Sequence, residues 1–416
     1  MAEGDDGSTI SRPLYRTAPA GLSRELNRAA IFRLIGTSGP IARTQIARRL
    51  GLSPATITAV TRELVEQGLV RVAERAPSRG GRPALLLELV GGAPAALGVK
   101  IAHDHVVGVT VDIEADVLER FETPFDTAAP DALERLGDIL ARWLAESESQ
   151  PRLLGIGVGV SGVFDPSAGT LDSPMLGWRG VPLAQLLEQR LGLPAYVDND
   201  VNTLAVSERL YGRGRETEHF VTLTIGRGVG LGIIAGGDIY RGFRGGAGEF
   251  GHTTAVEGGP LCSCGKHGCL EALVADPALV AQARALQLLR RRDGIERLRE
   301  LADRGSSEAQ EIFGRAGATL GKAVGDLANI LSPQLVLVSG EGTQAWPHLA
   351  VAFEQSFRSA LFPPLRGIAA EVDPWDDTKW AVGAATLVLR ASFAAPRDEE
   401  PRSVGAVAGV QAGVVA

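Results

Sequence analysis

The stretch Cys262-Ser-Cys-Gly-Lys-His-Gly-Cys269 contains every cysteine of this 416-residue chain. Three thiols this close together, with glycines that permit tight turns, are typical of a metal-binding knuckle. Their odd number argues against a secreted disulfide framework. Tetrahedral zinc needs four ligands, and thiolates with an imidazole are a set that it favours. The sequence therefore predicts a structural zinc site formed by His252, Cys262, Cys264 and Cys269. The alternative is three small buried apolar side chains.

Composition places the chain among globular proteins of more than one domain. It is 45% hydrophobic and 22% charged, and its 416 residues exceed the usual size of one domain. No run of 18 uncharged apolar residues occurs, so a membrane-spanning helix is not expected. The acidic, polar start at residues 1–8 is unlike a secretory signal, and we predict a cytoplasmic protein. Small and polar residues predict disordered tails at 1–20 and 394–416.

Charge is divided unevenly along the chain. Residues 21–88 contain eleven arginines and five glutamates, a net charge of +6. The whole chain carries −7, so the remainder carries −13. A basic module joined to an acidic body indicates that the first part binds a polyanion.

Residues 21–90 have the pattern of a winged helix-turn-helix domain. A first helix capped by Ser23 is followed by a short second helix, Thr44–Leu50, and by a tight turn at Gly51. Ser53 then caps a third helix, with a proline in the favoured first position. This order of helix, helix, turn and helix predicts a DNA-binding module.

The third helix has one apolar and one small or basic face. Ile57, Val60 and Leu64 recur at helical spacing and predict its buried side. Small outward residues suit a helix that enters the major groove, where side chains must approach the base edges closely. We predict DNA contacts on this helix from Ser53, Ala55, Thr56, Thr58 and Arg62.

A basic turn between two apolar segments predicts the wing. Leu69–Ala73 and Leu85–Leu89 read as strands, and the glycines and arginines between them suit close approach to DNA. We predict that Arg79 and Arg82 contact DNA, with an arginine in the minor groove. The alternative is a helical protein-docking module with a basic loop.

Residues 95–393 alternate strand-like and helix-like segments, which predicts an α/β body of two lobes. Hairpins are expected at Ala96–Ile101 with Val106–Val111, and at Phe220–Ile225 with Leu231–Ile234. Other predicted elements are the strands Leu154–Val160, Pro194–Asp198 and Leu335–Ser339 and the helices 130–148, Leu183–Leu191, Asn202–Tyr211 and Ala318–Leu331.

Three short stretches in this body belong together. They are Asp198-Asn-Asp-Val-Asn202, Glu249-Phe-Gly-His252 and Cys269-Leu-Glu271, and together with the cysteine block they resemble the ROK family of repressors and sugar kinases. The resemblance covers residues 95–393. It implies a two-lobed actin/hexokinase-like (ribonuclease H-like) sugar-kinase fold. An N-terminal winged helix on this body is similar to the arrangement in the family's sugar-responsive repressors.

The resemblance also implies a sugar site. Amide and carboxylate groups on glycine-rich loops pair well with sugar hydroxyls, which both donate and accept hydrogen bonds. The zinc would fix the loop that carries two of these groups. The alternative reading of each polar residue is loop capping. The residues that the family pattern assigns to the ligand are Asn199, Asp200, Glu249, His252 and Glu271.

The nucleotide-binding segments depart from those of the family's kinases. Lys100, Ala102, His103 and Asp104 stand at the positions of the kinase Asp, Gly, Gly and Thr, and an aspartate there repels phosphate. In the second loop, Arg227 stands where kinases usually have threonine. The sequence therefore predicts no kinase activity and no catalytic residue.

The resulting prediction is a transcriptional repressor that binds operator DNA and is controlled by a monosaccharide or a derivative. Homodimers or homotetramers are expected, because paired winged helices recognise paired half-sites. Two alternatives remain: an active sugar kinase that carries a DNA-binding domain, and a regulator whose ligand site no longer binds and which responds to a partner protein.

Overall fold

The computed structural model describes residues 20–38, 40–75, 85–90, 94–147, 152–373, 375–376 and 378–393. Apart from Ala20, the two predicted tails lie outside these ranges, as do Arg79 and Arg82 of the predicted wing. Within the described ranges, no helix is both long enough and apolar enough to cross a membrane.

The N-terminal elements form the predicted winged helix. They are α1 (Ala20–Ser38), β1 (Ile41–Ala42), α2 (Arg43–Leu50), α3 (Pro54–Glu66), β2 (Val70–Arg75) and β3 (Leu85–Leu89). The strands pair antiparallel in the order β1-β3-β2. Ser53 caps α3 as predicted, since its Oγ accepts a hydrogen bond from the Thr56 N–H at 3.1 Å. A fully buried Arg28 donates to Glu63 Oε2 at 2.7 Å and so joins α1 to α3.

The first lobe of the body is built on a five-stranded sheet. Its order is β11-β7-β4-β5-β6. A small three-stranded sheet, β10-β9-β8, lies beside its carboxyl edge. The elements are β4 (Pro94–Ile101), β5 (His105–Asp112), β6 (Val117–Pro124), α4 (Ala132–Glu146), β7 (Arg152–Val160), β8 (Val163–Asp165), β9 (Thr170–Ser173), β10 (Trp178–Val181), α5 (Leu183–Leu191), β11 (Ala195–Asn199) and α6 (Asp200–Leu210).

The second lobe repeats the topology of the first. Its sheet order is β14-β13-β12-β15-β16, with an antiparallel meander followed by two parallel strands, as in the first lobe. Such a duplicated sheet is the ribonuclease H-like architecture that was predicted. The elements are β12 (Phe220–Ile225), β13 (Val229–Ala235), β14 (Asp238–Ile239), α7 (Glu271–Val274), α8 (Asp276–Ala285), α9 (Ile295–Asp303), α10 (Ser307–Leu331), β15 (Leu335–Ser339), α11 (Trp346–Ala360) and β16 (Ala369–Val372). The last helix, α12 (Thr378–Phe393), returns to the first lobe and packs against β4, β5 and β7.

Most predicted elements of the body are present, with small shifts at their ends. The largest difference is α10, which was expected to begin at Ala318 and begins at Ser307. Its first turns carry more polar residues, and Ser306 provides a cap through its Oγ, which accepts from the Ala309 N–H at 3.3 Å. The helices α7 to α9, α11 and α12 were not predicted.

The winged helix and the body share one apolar core. Ile31, Phe32 and Ile35 of α1 pack in the same buried cluster as Val109 of β5 and Val388 of α12. Because burial of apolar surface drives folding, this shared cluster joins the two parts into one packed unit. The domain boundaries at 21–90 and 95–393 stay a prediction.

Candidate ligand and metal site

The predicted metal ligands converge on one point. The ligand atoms of His252, Cys262, Cys264 and Cys269 all lie within 4.8 Å of one another. Cys262 Sγ is 3.5 Å from His252 Nδ1, and Cys264 Sγ is 3.7 Å from Cys269 Sγ. Tetrahedral zinc, with bonds of about 2.3 Å to sulfur and about 2.05 Å to nitrogen, requires edges of about 3.5 Å for S···N and about 3.8 Å for S···S. The donor set therefore fits a closed tetrahedral metal site.

Local backbone structure brings the thiols together. The Cys262 N–H bonds the Lys266 carbonyl at 2.8 Å, which closes the knuckle. Gly268 has a φ of 74°, and a Cβ at this position would collide with the Val256 carbonyl, so glycine is required there. Burial and the neighbouring thiols raise the pKa of Cys269 to about 11. A divalent cation reverses this effect, because a coordinating thiol is deprotonated.

The first part of the predicted sugar site lies where β11 ends and α6 begins. Asn199 caps α6 through its Oδ1, and its Nδ2 donates to the Gly162 carbonyl at 2.9 Å. Asp200 forms an ion pair with Lys100, and the two side chains are only 11% and 12% exposed. The capping alternative therefore holds for Asn199, and its assignment to a sugar stays a prediction.

The second part of the predicted sugar site adjoins the metal ligands. His252 Nε2 lies 3.9 Å from Glu249 Oε2, on the opposite side of the ring from the Nδ1 that approaches Cys262. Glu271 accepts bonds from Ser263 Oγ at 3.1 Å and from the Val229 N–H at 3.2 Å. Glu249 and Glu271 of the predicted sugar site therefore lie directly beside the cysteine knuckle. Residues that neighbour metal ligands commonly orient them.

The carboxylates of this site are close enough to interact. Partial burial raises the pKa of Glu249, and the charges of Glu271 and Asp200 raise it further, while His252 lowers it. The predicted residues therefore lie close together where the two lobes meet, a region called the cleft below. Their assignment to a ligand stays a prediction.

The first phosphate-loop segment is closed by its own side chains. Asp104 Oδ1 lies 3.0 Å from His103 Nδ1 and 2.7 Å from His105 Nδ1. Burial by itself would raise the pKa of Asp104. The hydrogen bond from His105 and the charges of both histidines outweigh burial and lower this pKa. A carboxylate thus stands where a kinase needs an open, glycine-lined surface for phosphate.

The second phosphate-loop segment is also hydrogen-bonded to other side chains of the protein. The Arg227 N–H donates to Glu341 Oε1 at 2.9 Å, so an acidic side chain takes the backbone donor that would face a phosphate. The Arg227 guanidinium reaches across the cleft to His103 Nε2 at 3.1 Å. Sequence reasoning noted Arg227 and missed Glu341, because the two are separated by 114 positions and only the fold brings them together.

Two further arginines connect the lobes and were also missed. Arg241 pairs with the buried Asp198 at 2.6 Å, and Arg244 pairs with Asp165 at 2.7 Å. Both arginines lie on the loop that leads from β14 to Glu249. They hold this loop against the first lobe, so they set the position of one wall of the cleft.

The predicted DNA face of α3 is exposed at most positions. Ala55, Thr58 and Arg62 are exposed, and the Arg62 side chain is 72% accessible. Thr56 is half-buried, with its hydroxyl 2.8 Å from Ser53 Oγ. The exposed Arg48 and Arg49 at the end of α2 extend the basic surface. Their adjacent positions in the sequence were the signal that could have identified them.

Comparison with known proteins places this chain in a family. The ROK family model matches residues 96–391, and a MarR family model matches residues 25–76. The protein belongs to the ROK family and carries a winged helix of the MarR type at its N-terminus.

Named relatives of similar length are transcriptional regulators. The DNA-binding transcriptional dual regulator NagC of Escherichia coli K12 is 31% identical over 89% of this chain and 94% of its own length. The xylose repressor of Caldicellulosiruptor bescii is 28% identical over 77% of this chain and 84% of its own length.

Solved structures show the same fold with and without the winged helix. A ROK family transcriptional regulator, described as a homologue of the E. coli MLC protein, superposes with a TM-score of 0.76 over 90% of this chain and 98% of its own, at 24% identity. A ROK glucokinase of Streptomyces griseus, solved with glucose and AMPPNP, gives 0.62 over 70% of this chain and 98% of its own, at 29% identity.

Proposed function

We propose that this protein is a transcriptional repressor that binds operator DNA through α3 and the wing and is controlled by a monosaccharide or a derivative, which it does not phosphorylate. One observation carries the proposal. Lys100 holds Asp200 in a buried ion pair at the position where the family's kinases use a free aspartate as general base. A base that is already paired with an ammonium group is a poor proton acceptor.

The surroundings of Asp200 support this reading. Asp104 and Glu341 place carboxylates in both phosphate-loop segments, and like charges repel a nucleotide triphosphate. The groups proposed to bind the sugar, Glu249 and Glu271 among them, remain at the cleft. The relatives, one named as a DNA-binding transcriptional dual regulator and one as a xylose repressor, favour transcriptional regulation.

We also propose that the Cys3His cluster binds one structural Zn²⁺ per chain. All four positions of a tetrahedron are taken by protein donors, and such a closed site supports structure rather than catalysis. Its role here is to fix His252 and Glu271 at the ligand cleft. A homodimer or homotetramer in the cytoplasm completes the proposal, because a second winged helix is needed for a second operator half-site.

Two measurements on the purified full-length protein test the function. A thermal-shift screen against N-acetylglucosamine, xylose, glucose and their phosphates should show stabilisation by a sugar and none by ATP. A coupled assay with ATP, Mg²⁺ and the same sugars should show no turnover above background.

A sugar kinase is the second candidate, because Asp200 itself is retained. Sustained turnover that disappears in Asp200→Asn would establish that activity and contradict the proposal. Stabilisation by none of the sugars would instead favour a regulator that responds to a partner protein.

A further inference from the structure

Helix α6 runs from the candidate ligand site to the winged helix. It begins at Asp200, directly after its cap Asn199, and ends at Leu210, followed by Tyr211. Eleven residues span about 16 Å at the α-helical rise. The two ends therefore lie in different parts of the molecule, and a rigid element connects them.

The first end of α6 is fixed by the polar groups of the cleft. Asn199 Oδ1 accepts from the Val201 and Asn202 N–H groups at 2.9 and 3.3 Å, and Asp200 pairs with Lys100. A ligand that takes bonds from Asn199 or Asp200 must change the forces on this end of the helix.

The flanks of α6 are packed closely against both lobes. A Cβ added at Gly230 or Gly232 of β13 would lie 2.6 Å from Val201 Cγ2 or 2.8 Å from Ala205 Cβ. On the other side, Gly383 of α12 approaches the helix backbone, where a Cβ would lie 3.1 Å from the Leu204 nitrogen. Such dense packing transmits displacement, because close-packed interiors have low compressibility.

The second end of α6 meets the DNA-binding domain. The Tyr211 hydroxyl donates to the Ile113 carbonyl at 3.2 Å, and its ring packs against the core shared with the winged helix. Ile113 lies in a tight turn in which Asp112 Oδ1 accepts the Glu114 and Asp116 N–H groups at 2.9 Å each. The Ile113 Cδ1 atom would be 2.9 Å from a Cβ at Gly36 of α1. This turn therefore contacts the first helix of the winged-helix domain directly.

Open space borders the same end of the helix. A cavity of about 510 Å³ is lined by Leu204, Glu208 and Tyr211 together with residues of β6 and α12. The C-terminal half of α6 therefore has packed neighbours on one side and free volume on the other.

We propose that Tyr211 is a positioning residue through which α6 transmits the state of the ligand site to the winged helix. A change at Asn199 or Asp200 moves α6, and the Tyr211–Ile113 hydrogen bond carries this movement to the turn that contacts α1. The inference rests on the proposed function as a ligand-controlled repressor, and it assigns the path of that control.

Hydrogen exchange of the purified full-length protein tests the path without any ligand or DNA. Asp200→Asn, which removes the ion pair with Lys100, serves as the perturbation at one end. We expect it to change the exchange rates of α1 amides around Gly36 by at least about threefold. In the Tyr211→Phe background the same substitution should change them by less than about twofold, the range of additive scatter.

Tyr196→Phe is the matched control, since it removes a phenol hydroxyl from the exposed side of β11. It should leave the effect of Asp200→Asn unchanged. If Asp200→Asn does not fold, Asn199→Ser takes its place, because serine keeps the helix cap and loses the amide bond to Gly162.

Two results would overturn the inference. One is an equal response of α1 in the Tyr211 and Tyr211→Phe backgrounds, and the other is no response of α1 to either perturbation. Failure of the proposed function is distinct from both, because it would appear as absent sugar or DNA binding in the wild-type protein.

Discussion

At the scale of single residues, the two histidines near the Cys3His cluster have different contacts. His252 places Nδ1 3.5 Å from Cys262 Sγ and Nε2 3.9 Å from Glu249 Oε2, so the proposed metal site and the proposed ligand site share this residue. His267 lies in the same knuckle and instead approaches the Gly259 carbonyl at 3.1 Å. The two histidines therefore provide a matched pair.

We expect His252→Asn to lose zinc and His267→Asn to keep it. A closed site needs all four donors, whereas His267 contributes to the turn alone. Elemental analysis of protein purified without chelator should show about one zinc per chain for the wild type and His267→Asn, and far less for His252→Asn. Fully folded, metal-free wild-type protein that binds its sugar would contradict the zinc assignment.

The Lys100–Asp200 pair gives a second residue-scale prediction. Lys100→Met leaves Asp200 as a buried carboxylate without its counter-charge, and loss of one partner of a buried pair costs about 3–5 kcal/mol. The free energy of unfolding, measured with urea at neutral pH, should fall by this order. Lys322→Met is the control, because the Lys322–Asp326 pair is exposed and worth about 0–1 kcal/mol. Equal costs for the two substitutions would show that Lys100 is not bound in a buried pair.

At the scale of elements, α3 has one buried face and one exposed face that is free to contact DNA. Ile57 and Leu64 are fully buried, which turns Arg62 outward. Arg62→Ala should weaken binding to a selected operator duplex by about 1–3 kcal/mol and binding to random duplex by less, if the guanidinium reads a base edge. Fluorescence anisotropy at fixed salt measures both affinities.

Arg315→Ala on α10 is the control for Arg62→Ala. Arg315 has the same exposed pairing with a glutamate one turn away, but lies in the body. It should leave DNA binding unchanged. Equal affinity of both variants and the wild type for the operator would remove α3 from the DNA interface.

The start of α8 supplies a prediction about pH. Burial, reinforced by the charges of Glu341 and Glu296, raises the pKa of Asp276 to about 7. A carboxyl whose pKa is higher in the folded than in the unfolded state favours folding at low pH, and that contribution is lost as the pH rises through about 7. Asp276→Asn should therefore stabilise the protein relative to the wild type, and by more at pH 8 than at pH 5.

Denaturation midpoints across this pH range test the effect of Asp276. Asp326→Asn, at an exposed aspartate, should leave the difference in stability between pH 5 and pH 8 as it is in the wild type. A parallel change of stability in Asp276→Asn and the wild type between pH 5 and pH 8 would contradict the assignment.

At the scale of the whole molecule, the shared core couples the winged helix to the body. All five tryptophans lie in the body, so their fluorescence reports its unfolding alone. Phe32→Ala removes a fully buried ring from the winged helix and should cost about 3–5 kcal/mol. Because the core is shared, we expect the tryptophan transition to move to lower temperature as well.

Phe243→Ala is the control for Phe32→Ala, since the Phe243 side chain is 88% exposed. It should leave the transition in place. An unchanged tryptophan transition in Phe32→Ala, with separate melting of the winged helix, would show that the two parts unfold independently.

Local sequence determined the features whose residues are neighbours in the chain. The cysteine knuckle occupies eight residues and α3 thirteen, so spacing, caps and apolar periodicity define them without the rest of the molecule. The repeated sheet was predictable as an α/β body, because its strands are continuous apolar segments. Its repeated strand order was expected only through the resemblance to the ROK family, since pairing between distant strands leaves no local pattern.

Tertiary structure alone decided what the polar residues of the cleft do. Lys100 and Asp200 are 100 positions apart, and Arg227 and Glu341 are 114 apart, so neither pair has a signature in the sequence. The sequence established that these groups exist and that the kinase pattern is altered. Which charge neutralises which depends on burial and on distances of a few ångströms between groups. Only the packed lobes set these distances, because electrostatic energy depends on separation and surroundings rather than on order along the chain.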